Sequence, residues 1–161
     1  MTVDKKSVIL VLEFTCGLLV GALFAVILLP QQVHPTKLAV YSENAPAPIG
    51  PYSQAVQVCD FVFLSGQIGI DPVTGSLTGS SVEGQTTQVM ENLKEVLKAS
   101  GLSFKDVVQT RIYLTNMNDW TAVNGIYAVS FNNTYPARAA VQVAGLPKGA
   151  KVEIEMVAQE R

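Results

Sequence analysis

The amino-acid sequence predicts an α+β domain in which two helices pack on one face of a β-sheet. Two observations support this fold class. Short segments of alternating apolar and polar residues recur after residue 37, and two longer segments place apolar residues at helical spacing instead. The predicted order is β-β-α-β-α-β-β. Because two helices cover only one face of such a sheet, we expect an oligomer in which other subunits cover the opposite face.

A Pro-rich lead-in and two strands open the domain. Residues 44–52 (NAPAPIGPY) are predicted to be extended or turned, because each proline fixes φ and restricts the residue before it. Residues 53–59 and 61–65 are predicted strands, joined tightly at Asp60. Residues 38–41 are a candidate short first strand.

The clearest helix is predicted over residues 82–100. Ser80 with Glu83 fits a capping box at its start, and Gly101 occupies the place of a C-terminal glycine cap. One side of this helix is apolar and is expected to face the sheet: Val82, Val89, Met90, Leu93, Val96 and Leu97.

A strand, a second helix and two further strands complete the domain. The strand is predicted over residues 104–114, and the helix over residues 119–132 with Asn118 as its cap. Residues 137–143 and 151–158 alternate as strands on either side of a turn that contains Gly and Pro. The apolar side of the second helix consists of Trp120, Val123, Tyr127 and Phe131.

An apolar run of 22 residues, residues 8–29, precedes the domain and carries a single charge, Glu13. A helix of this length spans roughly 30 Å, the thickness of a hydrocarbon core, so the run predicts a transmembrane signal anchor. Lys5 and Lys6 precede the run, which by the positive-inside rule predicts a cytoplasmic N-terminus and a domain on the exported side. The predicted localisation is therefore a single-pass membrane protein.

This interpretation divides the chain into a cytoplasmic stub (1–7), a transmembrane helix (8–29), a tether (30–43) and the domain (44–161). Two alternatives stay open. A cleaved signal peptide would end near residues 20–22 (VGA), although the apolar run continues beyond them. A buried helix of a globular domain would normally show a polar periodicity that this run lacks.

The composition argues against several classes of function. The net charge is −2 and no block of Lys and Arg is present, so a nucleic-acid partner is not expected. His34 is the only histidine and precedes the domain, and Cys16 and Cys59 are the only cysteines. Ser-His and Cys-His nucleophile pairs and cysteine or histidine zinc sites are therefore unavailable in the domain. Catalysis there has to use Arg, carboxylates, Tyr, Ser, Asn and backbone groups.

Arg138 and Glu153 are the leading candidate site residues. Arg138 begins a strand among alanines, which leave room around a planar guanidinium that suits a carboxylate; a structural ion pair is the alternative. Glu153 and Glu155 share one face of the last strand. Two neighbouring carboxylates raise a pKa or orient a water, although a solvated strand face gives the same pattern.

Three further polar residues are candidate pocket residues. Tyr52 closes the Ile-Gly-Pro-Tyr turn, Ser65 precedes a glycine at a strand end, and Asn124 lies next to the apolar side of the second helix. Each can donate a hydrogen bond into a pocket, and each also suits an ordinary turn, strand-end or packing position. Residues 132–134 (NNT) form an N-glycosylation sequon, which has meaning only in a eukaryotic secretory compartment.

Taken together, several motifs make the chain after residue 43 strongly resemble the Rid family, the reactive intermediate deaminases of the RidA/YjgF type. They occur in order and at ordinary spacing. The motifs are NAPAPIGPYSQ at residue 44, LSGQI at residue 64, QVMENL at residue 88, PARAAV at residue 136 and LPKGAKVEIE at residue 146.

The resemblance implies a chorismate-mutase-like fold and a homotrimer with active sites between subunits. It also implies a 2-iminobutanoate/2-iminopropanoate deaminase-like hydrolase, which converts reactive 2-imino acids, such as those derived from 2-aminoacrylate, to 2-keto acids and ammonia without metal or cofactor. Arg138 would then hold the substrate carboxylate and Glu153 would position or activate the hydrolytic water. Tyr52, Ser65 and Asn124 would line the pocket. Ala140 stands where many relatives carry Cys.

The main alternative function is a non-catalytic trimeric module that binds small carboxylates at a membrane surface, because one fold hosts many functions. An interaction or chaperone-like protein is a weaker alternative, since the sequence offers no specific surface for it. Ribonuclease activity has little support, because the balance of charge is acidic and the domain lacks histidine.

Overall fold

The computed structural model describes residues 10–11, 26–27, 36–132 and 134–160. The chain divides into two compact units, residues 1–35 and residues 36–161. In the first unit, strand β1 (Leu10–Val11) pairs antiparallel with strand β2 (Val26–Ile27).

The predicted single-pass membrane localisation is wrong. Within the described residues, no helix combines the length and the apolar character needed to cross a membrane. Moreover, the antiparallel pairing of β1 with β2 is incompatible with one uninterrupted helix over residues 8–29. A uniformly apolar run carries no period by which helix and strand can be distinguished, and its β-branched residues favour strands. The rest of the predicted stub and transmembrane segment lies outside the described residues.

The second unit contains one six-stranded sheet in the order β3-β4-β5-β8-β6-β7. All neighbours are antiparallel except β6 and β7, which are parallel and are connected through helix α2. The elements are β3 (Leu38–Val40), β4 (Ala55–Val58), β5 (Phe61–Ile68), α1 (Val82–Ala99), β6 (Val107–Leu114), α2 (Trp120–Val129), β7 (Ala137–Gln142) and β8 (Val152–Gln159). This is the predicted α+β order, and the candidate first strand at residues 38–41 is confirmed as the edge strand β3, which lies within the predicted tether.

Local hydrogen bonds cap both ends of helix α1. Ser81, not Ser80 as predicted, is the N-cap, and its side chain accepts a hydrogen bond from the Gly84 N–H. Gly101 is confirmed as the C-terminal glycine: its φ is +76°, and the next N–H, of Leu102, donates to the Leu97 carbonyl at 2.9 Å.

Three predicted boundaries differ from the structure. Helix α2 ends at Val129 rather than residue 132, and a 3₁₀ turn (Met117–Asp119) precedes it. That turn uses Asn116, not Asn118, as its side-chain cap. Likewise, Phe104–Asp106 is a 3₁₀ turn before β6 rather than part of that strand. At the end of α2 and at the start of β6, the apolar pattern extends past the residue at which the backbone changes conformation.

Strand β5 is longer than predicted because it continues past a β-bulge. Its pairing with β8 shifts register between Leu64 and Gln67, so that Ser65 and Gly66 form the irregularity. The hairpin from β4 to β5 turns at Cys59 and Asp60, where Cys59 adopts a φ of +51°.

Both helices pack on one face of the sheet, as predicted, and a single core cluster joins them to it. In β8 the alternate residues Val152, Ile154 and Met156 are buried in this core. Their neighbours Glu153 and Glu155 therefore project from the opposite face, on which the described residues of this unit place no helix.

Candidate active site

The predicted site residues lie in two separate pockets. Arg138 and Asn124 line a cavity of about 470 Å³, and Tyr52, Ser65 and Glu153 line another of about 220 Å³. The first, here the Arg138 pocket, is lined by Asn124, Tyr127, Ala128, Tyr135, Pro136 and Arg138. The second, here the Glu153 pocket, is lined by Ile49, Tyr52, Ser65, Gly66, Ile68, Pro147 and Glu153.

The two pockets open on opposite faces of the sheet. Arg138 pairs in register with Thr110 of the parallel strand β6, and Thr110 is fully buried beneath the helices. Neighbouring residues of paired strands project to the same side, so Arg138 lies on the helix face. Glu153 lies between two buried residues of β8 and projects from the open face. Within one chain, Arg138 and Glu153 therefore cannot contact the same small ligand.

Arg138 lies over the ring of Tyr127, with its Cζ 4.8 Å from the ring centroid. In the described part of the chain, no carboxylate forms a salt bridge with Arg138. Ala140, which follows on the same side of β7, is half-buried against the core and leaves space beside the guanidinium. The arrangement leaves the N–H donors of Arg138 available to a ligand carboxylate.

Asn124 lies on the side of α2 that faces this guanidinium. It precedes Tyr127 by three residues and Ala128 by four, the spacing at which helical side chains share one side. All three line the Arg138 pocket. The structure therefore places Asn124 and Arg138 in the same pocket.

The carboxylate of Glu153 lies over Gly66 in the bulge of β5. A Cβ atom on residue 66 would stand 2.8 Å from Glu153 Cδ and would collide with Oε1. Burial raises the pKa of Glu153, and the negative charge of Glu155 raises it further. Glu155 in turn accepts a 2.6 Å hydrogen bond from Arg111 Nη1, so one of the two carboxylates is paired with a cation.

The hydroxyl groups of Ser65 and Tyr52 differ in whether they can still donate a hydrogen bond to a ligand. Ser65 Oγ donates to the Ser53 carbonyl at 2.7 Å, so its proton is used and it offers only lone pairs to a ligand. Tyr52 accepts a hydrogen bond from the Ile49 N–H at 3.3 Å, which leaves the phenolic proton free to donate. We expected donors at both positions; the structure leaves one donor and one acceptor.

Gln54 supports the Glu153 pocket and was not predicted as a site residue. It is 1% exposed, and its Oε1 accepts from the Ser42 N–H at 2.6 Å. Its Nε2 donates to the carbonyls of Ser42 and Pro46 at 3.0 and 2.9 Å. These bonds fix the Pro-rich lead-in that carries Tyr52.

Gly66 and Tyr127 were also missed as site residues. Tyr127 fitted the apolar side of α2, and only its position beneath Arg138 distinguishes it from core packing. For Gly66 a signal was present, because an isolated glycine inside a strand pattern indicates a bulge or a close approach. As for metals, the described residues contain no group of three or more His, Cys, Asp or Glu side chains that could hold an ion.

The chain is similar to known proteins over the whole region that carries these residues. The family model described as endoribonuclease L-PSP matches residues 42–160. The 2-iminobutanoate/2-iminopropanoate deaminase of Mus musculus is 50% identical over 119 residues, which cover 74% of this chain and 88% of that protein.

Solved structures agree with the fold. The crystal structure of RidA from an Antarctic Psychrobacter is 43% identical with a TM-score of 0.74, and the match covers 76% of this chain and 98% of that one. The crystal structure of Escherichia coli TdcF with bound serine is 38% identical, also with a TM-score of 0.74, and the match covers 77% of this chain and 99% of that one.

Proposed function

The chain belongs to the Rid family, and from that premise we propose that it is a hydrolytic deaminase, which converts 2-imino acids to 2-keto acids and ammonia. The relative named for this activity is identical at half of the aligned positions. In this chain the proposal depends chiefly on one observation: the guanidinium of Arg138 lies in a pocket beside Asn124 with no described carboxylate bound to it.

The division of the site residues supports a site built from two copies of the chain. Arg138 and Glu153 project from opposite faces of one sheet, so a site that uses both needs a second copy. The open face also exposes apolar area, for example at Phe63, which is 49% exposed. A homotrimer with one site at each contact satisfies both observations. In a ring of identical contacts, one surface patch of each copy meets a different surface patch of its neighbour.

In this arrangement Arg138 binds the substrate carboxylate through two parallel N–H···O bonds and so fixes the position of the imine carbon. The cation that holds the carboxylate thus comes from one copy. Asn124 of the same copy adds a side-chain amide to this pocket.

The other copy supplies the groups for hydrolysis. The carboxylate of Glu153 accepts a proton from a water molecule, whose oxygen bonds to the imine carbon and gives a carbinolamine. Glu153 then returns the proton to the nitrogen, and the C–N bond breaks as the hydroxyl oxygen forms the C=O bond and passes its own proton to Glu153. Ammonia and the 2-keto acid leave, and Glu153 releases that proton to ammonia or solvent. The raised pKa of Glu153 suits both steps, because a carboxyl group with a higher pKa is a stronger base and remains able to donate.

Ser65 and Tyr52 complement these steps. With its own proton donated to Ser53, Ser65 Oγ can accept an N–H of the protonated imine. The free phenolic proton of Tyr52 can donate to an oxygen of the substrate or of the carbinolamine.

The test is keto-acid release by the full chain from 2-iminobutanoate generated in situ. We expect wild type to accelerate release, Arg138→Ala to lose at least roughly a hundredfold in kcat/KM, and Lys94→Ala to match wild type. Lys94 is a suitable control because it is an exposed cation on α1 that pairs with Glu91 and does not line either pocket. If folded wild type binds a keto acid but does not accelerate release, the chain is a carboxylate-binding module instead.

A further inference from the structure

We infer that Tyr127 is a positioning residue of this site: its ring face holds the Arg138 guanidinium and leaves all the N–H donors of that group to the substrate carboxylate. This inference rests on the proposed function and adds a residue to its machinery. It starts from the contact itself, in which Arg138 Cζ lies 4.8 Å from the centroid of the Tyr127 ring. This distance is within the roughly 6 Å over which a ring attracts a cation.

The Tyr127 ring is held rigidly by its surroundings. It is 2% exposed, and its centroid lies 4.7 Å from the centroid of the Phe131 ring. Its hydroxyl donates to Thr110 Oγ1 at 3.1 Å within the core. Tyr127 is therefore a fixed surface on which a flexible arginine side chain can rest.

The hydrogen bond to Thr110 also ties this surface to the strand position beside Arg138. Thr110 and Arg138 are direct partners in the β6–β7 pairing. Ring, hydroxyl, strand pair and guanidinium therefore form a closed loop of contacts. These contacts together fix the position of the Arg138 guanidinium relative to the backbone of β7.

An aromatic ring differs from a carboxylate as a support because it does not occupy hydrogen-bond donors. Arg111 illustrates the difference, since its Nη1 is bound to Glu155 at 2.6 Å. A carboxylate on Arg138 would compete with the substrate for the same fork of donors. The Tyr127 ring attracts the guanidinium through its π electrons, so it does not bind the fork of N–H donors as a carboxylate would.

The experiment compares KM, kcat and the inhibition constant of the product 2-oxobutanoate among variants of the full chain. Tyr127→Leu removes the ring, and we expect KM and the inhibition constant to rise roughly three- to thirtyfold. We expect kcat to change much less, because the interaction holds ground state and transition state alike. Tyr127→Phe keeps the ring and loses only the hydroxyl bond to Thr110, so its KM should rise much less than that of Tyr127→Leu.

Two controls separate this role from simple core packing. Phe104→Leu removes a ring of the same aromatic cluster, one that packs on Phe131 with centroids 5.5 Å apart and does not line the Arg138 pocket, and should lower stability without raising KM. Phenylalanines with one, two and three ring fluorines at position 127 keep the shape but weaken the attraction of the ring face for a cation. The inhibition constant should rise stepwise through this series, and this measurement decides the question if Tyr127→Leu does not fold.

Equal KM values for Tyr127→Leu and Phe104→Leu, or a flat fluorine series, would overturn the inference while active wild type keeps the proposed function. Loss of binding in Tyr127→Phe as large as in Tyr127→Leu would also overturn it, because the hydroxyl would then be the essential group. Wild type that neither releases keto acid nor binds 2-oxobutanoate would overturn the proposed function and the inference together.

Discussion

Glu153 lies against Gly66 so closely that its carboxylate occupies the space of the side chain that Gly66 lacks. A Cβ atom on residue 66 would stand 2.8 Å from Glu153 Cδ, closer than real Cβ contacts come. Gly66 belongs to the bulge of β5, opposite the strand that carries Glu153. The missing side chain at residue 66 therefore determines where the carboxylate lies.

Gly66→Ala is expected to displace this carboxylate and to lower kcat by roughly tenfold to a hundredfold, because a shift of about 1 Å in a catalytic group has an effect of this order. Steady-state kinetics on imine hydrolysis measure it. Gly125→Ala is the matched control, since a Cβ there meets nothing within 4 Å. It should keep its activity and gain about 0.5–1 kcal/mol of stability as a helical alanine. A folded Gly66→Ala variant with wild-type kcat would show that Glu153 does not need this position.

Glu155→Gln is expected to move the acid limb of the pH–rate profile to lower pH. Burial is the first cause that raises the pKa of Glu153, and the charge of Glu155 is the second. Removing that charge lowers the pKa. Because the base acts as a carboxylate, its rate falls as pH drops through this pKa, and a lower pKa moves the fall to lower pH.

Arg111→Met is expected to move the acid limb of the pH–rate profile in the opposite direction, to higher pH. It leaves Glu155 without the cation that it contacts at 2.6 Å, so its charge acts more strongly on Glu153 and the acid limb moves to higher pH. Glu91→Gln, on the exposed side of α1, should move neither limb. Acid limbs that coincide in all these variants would exclude Glu153 as the group that titrates.

Mixing two inactive variants tests whether the site joins two copies. An Arg138→Ala chain retains Glu153, and a Glu153→Gln chain retains Arg138. In a trimer assembled at random from equal amounts, one contact in four joins an intact Arg138 to an intact Glu153, so roughly a quarter of wild-type activity returns. Co-refolding followed by the deaminase assay measures this recovery. An equimolar mixture as inactive as its parents, in which mixed oligomers are detected by native mass spectrometry, would exclude a shared site.

The ends of helix α1 show which parts of the fold local chemistry makes predictable. Gly101 was identified because a glycine after an apolar helical pattern commonly takes a positive φ, and it does. The start was displaced by one residue, because Ser80 and Ser81 are equally good caps in sequence and only the backbone decides which one accepts the hydrogen bond. At the end of α2, Phe131 continues the apolar pattern into the core after the helix has ended.

A site residue could be proposed from the sequence where its residue type suggests a chemical role. It could not be proposed where its role depends on a contact with a residue of another element. Arg138 among alanines was a candidate carboxylate ligand with a structural ion pair as the alternative, and only the family resemblance favoured the ligand role. Tyr127 and Gly66 matter because of the residues that lie against them from other elements, and no spacing along the chain encodes those contacts. The apolar run at residues 8–29 failed as a membrane prediction because hydropathy alone does not distinguish a helix from paired strands.

The separation of Arg138 and Glu153 onto two faces has a genetic consequence. In the proposed ring each copy lends its arginine to one site and its glutamate to the next, so every chain belongs to two sites at once. A copy that lacks both residues but still assembles therefore disables two of the three sites around it. In an equal random mixture of normal and defective chains only about one site in four stays intact, so such an allele removes more activity than the loss of one gene copy.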